Sequence, residues 1–376
     1  MIDTTKLILH YSEQPDWHHT AHLQRAIDPV TGRIKAIGNP TTADKKQGIY
    51  KPRVTYSEQV RKGQRRTYQL AVELSLPKLV YGNNFDELTD ADFSTVIHEL
   101  AGALKTAYCV IVTPQQLEQA SVAKIDYSKN IIYTDYTPVA TVVNAMRKAN
   151  IAKTYDVQKT DFKNGGSAYH AKHTNGLDVV MYDKITDLKQ SLLSPKRSED
   201  KEGYAQRTLL PSLEANGAVT VARFEVRING TKMLRKELTN NSIDCELSFR
   251  ELFSSEVSKL ILLRHWQAII DHIPKVPLTQ DTPEQIFLSI KKDNPDITLT
   301  NALATLGYAL LSKEHESRYV RNLIEGLFTT SQYRRFTQRT REPPDGNQLK
   351  TLLHITDTLT AMKPVRLSDY VYKVGK

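Results

Sequence analysis

The sequence predicts an α+β protein: a mostly antiparallel central sheet with helices on one face over residues 1–245, followed by an all-α unit over 246–376. Three observations carry this. Several stretches of the first part alternate apolar and polar residues with period two, the mark of a half-buried strand. Between them lie helix-start signals and apolar residues spaced by three and four. Beyond Asp244 only the helical spacing continues. With 376 residues, 40% of them hydrophobic, the chain exceeds one average domain, so two units are expected.

In order, Lys6 to Leu9 starts a strand. The turn-rich stretches Asp28-Pro-Val-Thr-Gly32 and Asn39-Pro-Thr-Thr42 read as a surface excursion. From Tyr50 to Tyr68 basic residues interleave with aromatics (Lys51, Arg53, Tyr56, Arg61, Lys62, Arg65, Arg66), a pattern suited to a phosphate backbone with bases stacked on rings; a solvated hairpin is the alternative. Thr67 to Val80 is a strand with Leu70, Val72 and Leu74 on one face and Gln69, Glu73 and Ser75 on the other. A helix follows from about Asp90, where Phe93, Val96, Ile97, Leu100 and Leu104 share a face. Thr113-Pro-Gln-Gln116 is a capped helix start.

Val122 to Lys129 is the next strand, with Lys124, Asp126 and Ser128 on its polar side. Thr137-Pro138 opens a helix to about Lys148, and Asn164-Gly-Gly166 is a turn. Asn175-Gly176 is a hairpin signal before Leu177 to Lys184, where Leu177, Val179 and Met181 oppose Asp178, Tyr182 and Lys184. Lys196 to Glu202 is a charged excursion. Val219 to Ile228 then sorts into Thr220, Ala222, Phe224, Val226 and Ile228 against Arg223, Glu225 and Arg227. Ser248-Phe-Arg-Glu251 is a capping-box start, and further helices are expected near 283–291, 299–312, 317–328 and 348–362. A helix-turn-helix around Leu299 to Phe328 is conceivable, but ordinary bundle packing is favoured.

Lys and Arg number 51 against 42 acids, giving a net charge of +9. That excess favours a polyanionic partner, nucleic acid before membrane. No apolar run approaches the ~20 residues that span a bilayer, and the N-terminus, with an early acid and a short apolar stretch, does not read as a signal peptide. Cys109 and Cys245 lack metal-ligand spacing and fit structural thiols in a reducing cytoplasm.

Each of four strands offers ionisable residues on its polar face: Glu73; Lys124 with Asp126; Tyr182 with Lys184; Arg223 with Glu225. In one sheet these converge, and crowded carboxylates need a cation among them. Three oxygen ligands without cysteine favour Mg²⁺ or Mn²⁺. A tyrosine with help from a lysine or metal then suits attack on a phosphodiester. Singly, each residue reads equally as a hairpin acid, a core ring or a snorkelling surface lysine.

Six stretches resemble the gene II type replication initiators of filamentous phages and related plasmids. They are Met1-Ile-Asp3, Val72-Glu-Leu-Ser75, Lys124-Ile-Asp126, Val179-Val-Met-Tyr-Asp-Lys184, Val221-Ala-Arg-Phe-Glu-Val-Arg-Ile228 and Leu247-Ser-Phe-Arg-Glu-Leu-Phe253. The pairing of Arg-Phe-Glu-x-Arg-Ile with Ser-Phe-x-Glu-Leu-Phe about twenty residues on is the specific part. The resemblance implies a rolling-circle initiator that nicks one origin strand through a covalent 5′-phosphotyrosine. It puts the attacking role on Tyr182, metal binding on Glu73, Asp126 and Glu225, and phosphate contacts on Lys184 and Arg223. Tyr169, in Tyr169-His-Ala-Lys-His173, is the second candidate nucleophile, by its likeness to plasmid initiators with a Tyr-x-Gly-Ser motif; His170 and His173 do not read as a two-histidine metal site. Arg61, Lys62, Arg65, Arg66, Arg334 and Arg335 are the expected DNA contacts. Origin DNA, double- and single-stranded, and a host helicase and polymerase are the expected partners in a bacterial cytoplasm, with a homodimer left open. The rival readings are a non-catalytic DNA-binding protein, such as a repressor or partition factor, and a tyrosine recombinase, whose arginine and histidine arrangement is not seen.

Overall fold

The computed structural model describes residues 1–16, 22–27, 34–59, 65–134, 139–147, 149, 151, 156–161, 167–173, 176–190, 219–272, 283–315, 317–329, 331–332 and 350–370. Its strands are β1 (Ile2–Tyr11), β2 (Gln24–Ile27), β3 (Ile34–Gly38), β4 (Arg53–Gln59), β5 (Thr67–Ser75), β6 (Ser121–Tyr133), β7 (Asp156–Asp161), β8 (Ser167–His173), β9 (Leu177–Asp183) and β10 (Thr220–Asn229). They form one ten-stranded sheet in the order β2-β3-β4-β5-β1-β6-β10-β9-β8-β7. Every pairing is antiparallel.

The period of two sorts this sheet as the sequence implies. Leu7, Val72, Tyr127, Phe224, Val179 and Met181 are buried together on one face. Against them pack the helix Phe93–Tyr108, through Val96, Leu100 and Leu104, and the helix Val139–Arg147, through Val142, Val143 and Met146. The opposite face carries the polar residues. Thr113 caps the helix Pro114–Glu118 with a capping box to Gln116, satisfying backbone N–H groups that the first turn leaves without partners.

Several expectations need correction. The strand beginning at Thr67 stops at Ser75 and the chain turns into a helix, Leu76–Tyr81, with Pro77 in its first turn; proline is disfavoured inside a sheet and suits a helix start. The surface excursion of residues 28–42 gives way to β3, preceded by β2 and followed by a capped helix Thr42–Gln47. Tyr56 is buried, parallel to Tyr68 at 6.1 Å, so it packs the core rather than presenting a ring to a base. Cys109 is exposed, at the end of a helix, with φ of 54°.

The expected boundary at residue 245 does not divide the core. The helix Ser255–Ile270 lies on the sheet, with Trp266 edge-on to Phe224 at 5.8 Å. On it packs the helix Lys350–Ala361, where Thr356 Oγ1 accepts from Trp266 Nε1 at 2.8 Å, and Leu352, Ile355 and Leu359 join the sheet's own cluster. A separate small core of Ile286, Ile290, Ala302 and Ala309 holds the helices Pro283–Asp293 and Leu299–Glu314, with Ser317–Leu327 beside them. Helical spacing shows that a face is apolar but not which core it joins. Among the described residues no helix is long and apolar enough to cross a membrane.

Candidate functional site

Strand register decides which polar residues meet. Arg223 is level with Tyr182 on one side and Asn130 on the other, and Glu225 is level with Val180 and Ser128. Side chains one step apart on the same face are neighbours. The Tyr182 hydroxyl accordingly donates to Glu225 Oε1 at 2.7 Å. Arg227 Nε donates to Glu225 Oε2 at 2.8 Å, and Arg223 Nε lies 3.0 Å from Glu225 Oε1. Arg223 is itself enclosed: Nη2 donates to Ser128 Oγ at 2.9 Å and pairs with Asp3 at 3.1 Å, and Nη1 donates to the Asn84 carbonyl.

Asp3 reaches this cluster because β1 carries an extra residue between Ile2, paired with Tyr127, and Thr4, paired with Asp126. Such a bulge re-aims one side chain. Lys184, expected as the last residue of the strand, instead begins the helix Lys184–Gln190. It is fully buried, its Nζ has no hydrogen-bond partner among the described residues, and it lies 5.9 Å from the centre of the Tyr182 ring.

These surroundings set the ionisation of each group. Burial would raise Glu225, but Arg227, Arg223 and the Tyr182 hydroxyl hold it at about 2. Burial, then the Glu225 charge, pushes the Tyr182 phenol well above its ordinary 10. Burial, then Arg223, brings the Lys184 ammonium down to about 7. Glu225 is thus a permanent anion pinned by two guanidinium groups. Replacing it by glutamine leaves Arg227 without its paired carboxylate and the buried Arg223 with Asp3 alone, so the Glu225→Gln variant is expected to lose roughly 3–5 kcal/mol of stability, measured by urea unfolding; a loss under about 1 kcal/mol would contradict the clamp.

The other acids form a second group. Lys124 Nζ sits between Glu73, at 3.2 Å, and Asp126, at 3.6 Å. Burial pushes the Asp126 carboxyl up to about 7, against the pull of Lys124, and its Oδ1 has no hydrogen-bond partner among the described residues. Glu73 is level with Lys6, Lys124 and, on β10, Asn229. Four residues along the strands and three strand spacings therefore separate it from Glu225, about 13 Å along the sheet and about 14 Å across it.

The three acids expected to share a metal consequently do not meet. Among the described residues no group of three His, Cys, Asp or Glu side chains is placed to hold one, and Glu225 has both oxygens engaged by Tyr182 and Arg227. The donor set does not fit Mg²⁺ or Mn²⁺ as arranged, and no step below passes through a metal. Tyr169 is level with Met181 and fully buried in the apolar core, on the face away from Tyr182; as second candidate nucleophile it is on the wrong side of the sheet. Of the expected DNA contacts, Arg65 and Arg66 are exposed, Arg66 pairing with Glu58 at 3.0 Å. Arg61, Lys62, Arg334 and Arg335, with the expected turn at 164–166 and charged excursion at 196–202, lie outside the described residues.

Sequence reasoning assigned no role to Asp3, Ser128, Asn84 or Arg227. Arg227 was within reach, since it shares the alternating face of Arg223 and Glu225; Asn84, in a turn, left no periodic signal.

A family model describing the N-terminal part of a phage replication-associated protein, of the gene II type, matches residues 1–251. No curated protein and no solved structure gives a significant match.

Proposed function

The chain belongs to the gene II type family of phage replication-associated proteins, and on that premise we propose that it opens rolling-circle synthesis by nicking one strand of its origin through Tyr182. One observation carries this reading: on the sheet face away from the main helices, a tyrosine hydroxyl donates to a carboxylate that two arginines keep ionised.

In the proposed reaction the Tyr182 oxygen attacks the scissile phosphorus. A Tyr–O–P bond to the 5′ side forms, the P–O3′ bond breaks, and the freed O3′ takes up a proton to become the priming hydroxyl. The phenol is too weak an acid to ionise beforehand, so its proton leaves as the new bond forms, relayed through the hydrogen bond to Glu225 and on to water, because a carboxylate held at about 2 does not keep it. Arg223 and Arg227 hold the acceptor in place. Arg223 is buried and engaged by Asp3, Ser128, Asn84 and Glu225, so it acts on the phosphate only through Glu225 and not by direct contact. Lys184, protonated in part at neutral pH, supplies positive charge beside the ring for the charge that spreads over the phosphate oxygens. The phosphotyrosine retains the energy of the broken ester for rejoining.

The reading is tested by incubating the protein with its supercoiled parent replicon, with and without Mn²⁺, and resolving the products on a denaturing gel. A nicked circle carrying covalently attached protein is the expected product. Salt-sensitive binding without any covalent product would instead favour a repressor or partition factor.

A further inference from the structure

Arg223 leans on a turn, and the turn is held from outside the family-matched part of the chain. The Asn84 carbonyl accepts from Arg223 Nη1. Asn130 Nδ2 donates to the Phe85 carbonyl at 2.7 Å, and Glu87, fully buried, accepts from the Asn130 N–H at 2.6 Å and from Lys129 Nζ. Those contacts fix the inner side of the turn to β6. Its outer side is closed by residues 363–367, which follow the helix Lys350–Ala361. The Val365 N–H donates to Glu87 Oε2 and the Glu87 N–H to the Val365 carbonyl, each at 3.0 Å. The Leu367 N–H donates to Asp86 Oδ1 at 2.6 Å, and the Lys363 carbonyl accepts from Lys129 Nζ at 2.6 Å. Val365 packs with Phe85, Leu188, Val219 and Val221. Arg366 lies over the Tyr81 ring at 4.6 Å and 3.7 Å from Asp92.

We propose that residues 363–367 are a positioning strap for the nicking site: by locking the Asn83–Glu87 turn they hold Arg223, and through Arg223 the Glu225 that orients the Tyr182 hydroxyl. The inference rests on the reading of Tyr182 as nucleophile. No strap residue touches DNA in this scheme.

The test uses the full chain carrying Val365→Ala with Arg366→Ala, compared with Arg366→Lys, which keeps a cation over Tyr81 and beside Asp92. A misplacement of order an ångström costs roughly 10–100-fold in rate, so kcat for nicking should fall by that factor. KM and affinity for origin DNA should stay within about twofold, because binding surfaces are untouched. Arg366→Lys should restore the rate. A folded double variant with unchanged kcat overturns the strap; if it does not fold, Arg366→Ala alone is read the same way. A second readout needs no turnover: with 3-fluorotyrosine placed at position 182, the ¹⁹F resonance should move in the strap variant and return in Arg366→Lys, and an unmoved resonance overturns the proposal. Tyr182→Phe separates the two claims. If that variant still becomes covalently attached to DNA, the nucleophile assignment fails whatever the strap does.

Discussion

Tyr182→Phe is expected to lose covalent attachment to origin DNA by on the order of 10⁴-fold or more while folding normally and binding the origin nearly as well as the parent. The phenol oxygen is the only heavy atom removed. Its loss leaves Glu225 with Arg223 and Arg227 still in place at 3.0 and 2.5 Å, so no buried charge is orphaned and the stability change should be that of one hydrogen bond to a charged group, about 1.5–3 kcal/mol. Denaturing gels of protein with labelled origin strand separate the outcomes. Covalent product from the Phe variant would move the reaction to another residue; loss of origin binding would mean that the hydroxyl serves recognition.

Lys184→Met is expected to make the protein more stable and less active. The lysine has a folded pKa of about 7 against an ordinary 10.5. The unfolded chain therefore binds the extra proton between those values, and wild-type stability rises with pH across that window and is penalised in full below it. A difference of roughly 3.5 units corresponds to an upper bound of about 5 kcal/mol at pH 7 or below. Methionine fills similar volume without the charge. Urea unfolding should show the variant ahead by several kcal/mol at pH 6, with the gap narrowing by about 2 kcal/mol between pH 7 and 8.5. Using the wild-type-to-variant gap cancels other groups titrating nearby. A pH-independent gap would show that Lys184 is ordinarily solvated. The nicking rate should fall together with the charge, a trade between stability and activity found where a site is built on an unfavourable buried group.

The faces of the sheet were readable from the sequence and its register was not. Alternation put Tyr182, Glu225, Arg223, Asp126 and Glu73 on one side, and all five are there. A strand can slide by two residues against its neighbour without changing which side chains face the core, so alternation alone does not tell Glu73, about 13 Å down the sheet, from a residue beside Glu225. Asp3 was hidden for a related reason, because a bulge breaks the count of two that would place it. The pattern of Leu177 to Tyr182 extrapolates as strand through Lys184, where the chain has already turned into a helix. The strap contacts join residues 129 and 363, far apart in the chain, and no local pattern encodes such a pairing.

The order in which strands stand in the sheet is not the order in which a ribosome makes them. β1, made before either of its neighbours, waits between β5 and β6, and β6 waits for β10, whose last residue is Asn229. Until that strand emerges, Tyr182 has no Glu225 and Arg223 does not exist, and the strap at residues 363–367 arrives later still. Under the proposed reaction, a nascent copy that has not yet made β10 therefore has no assembled cutting centre. Closure of so non-local a sheet is also slow, which spaces the onset of that cleavage from the onset of synthesis.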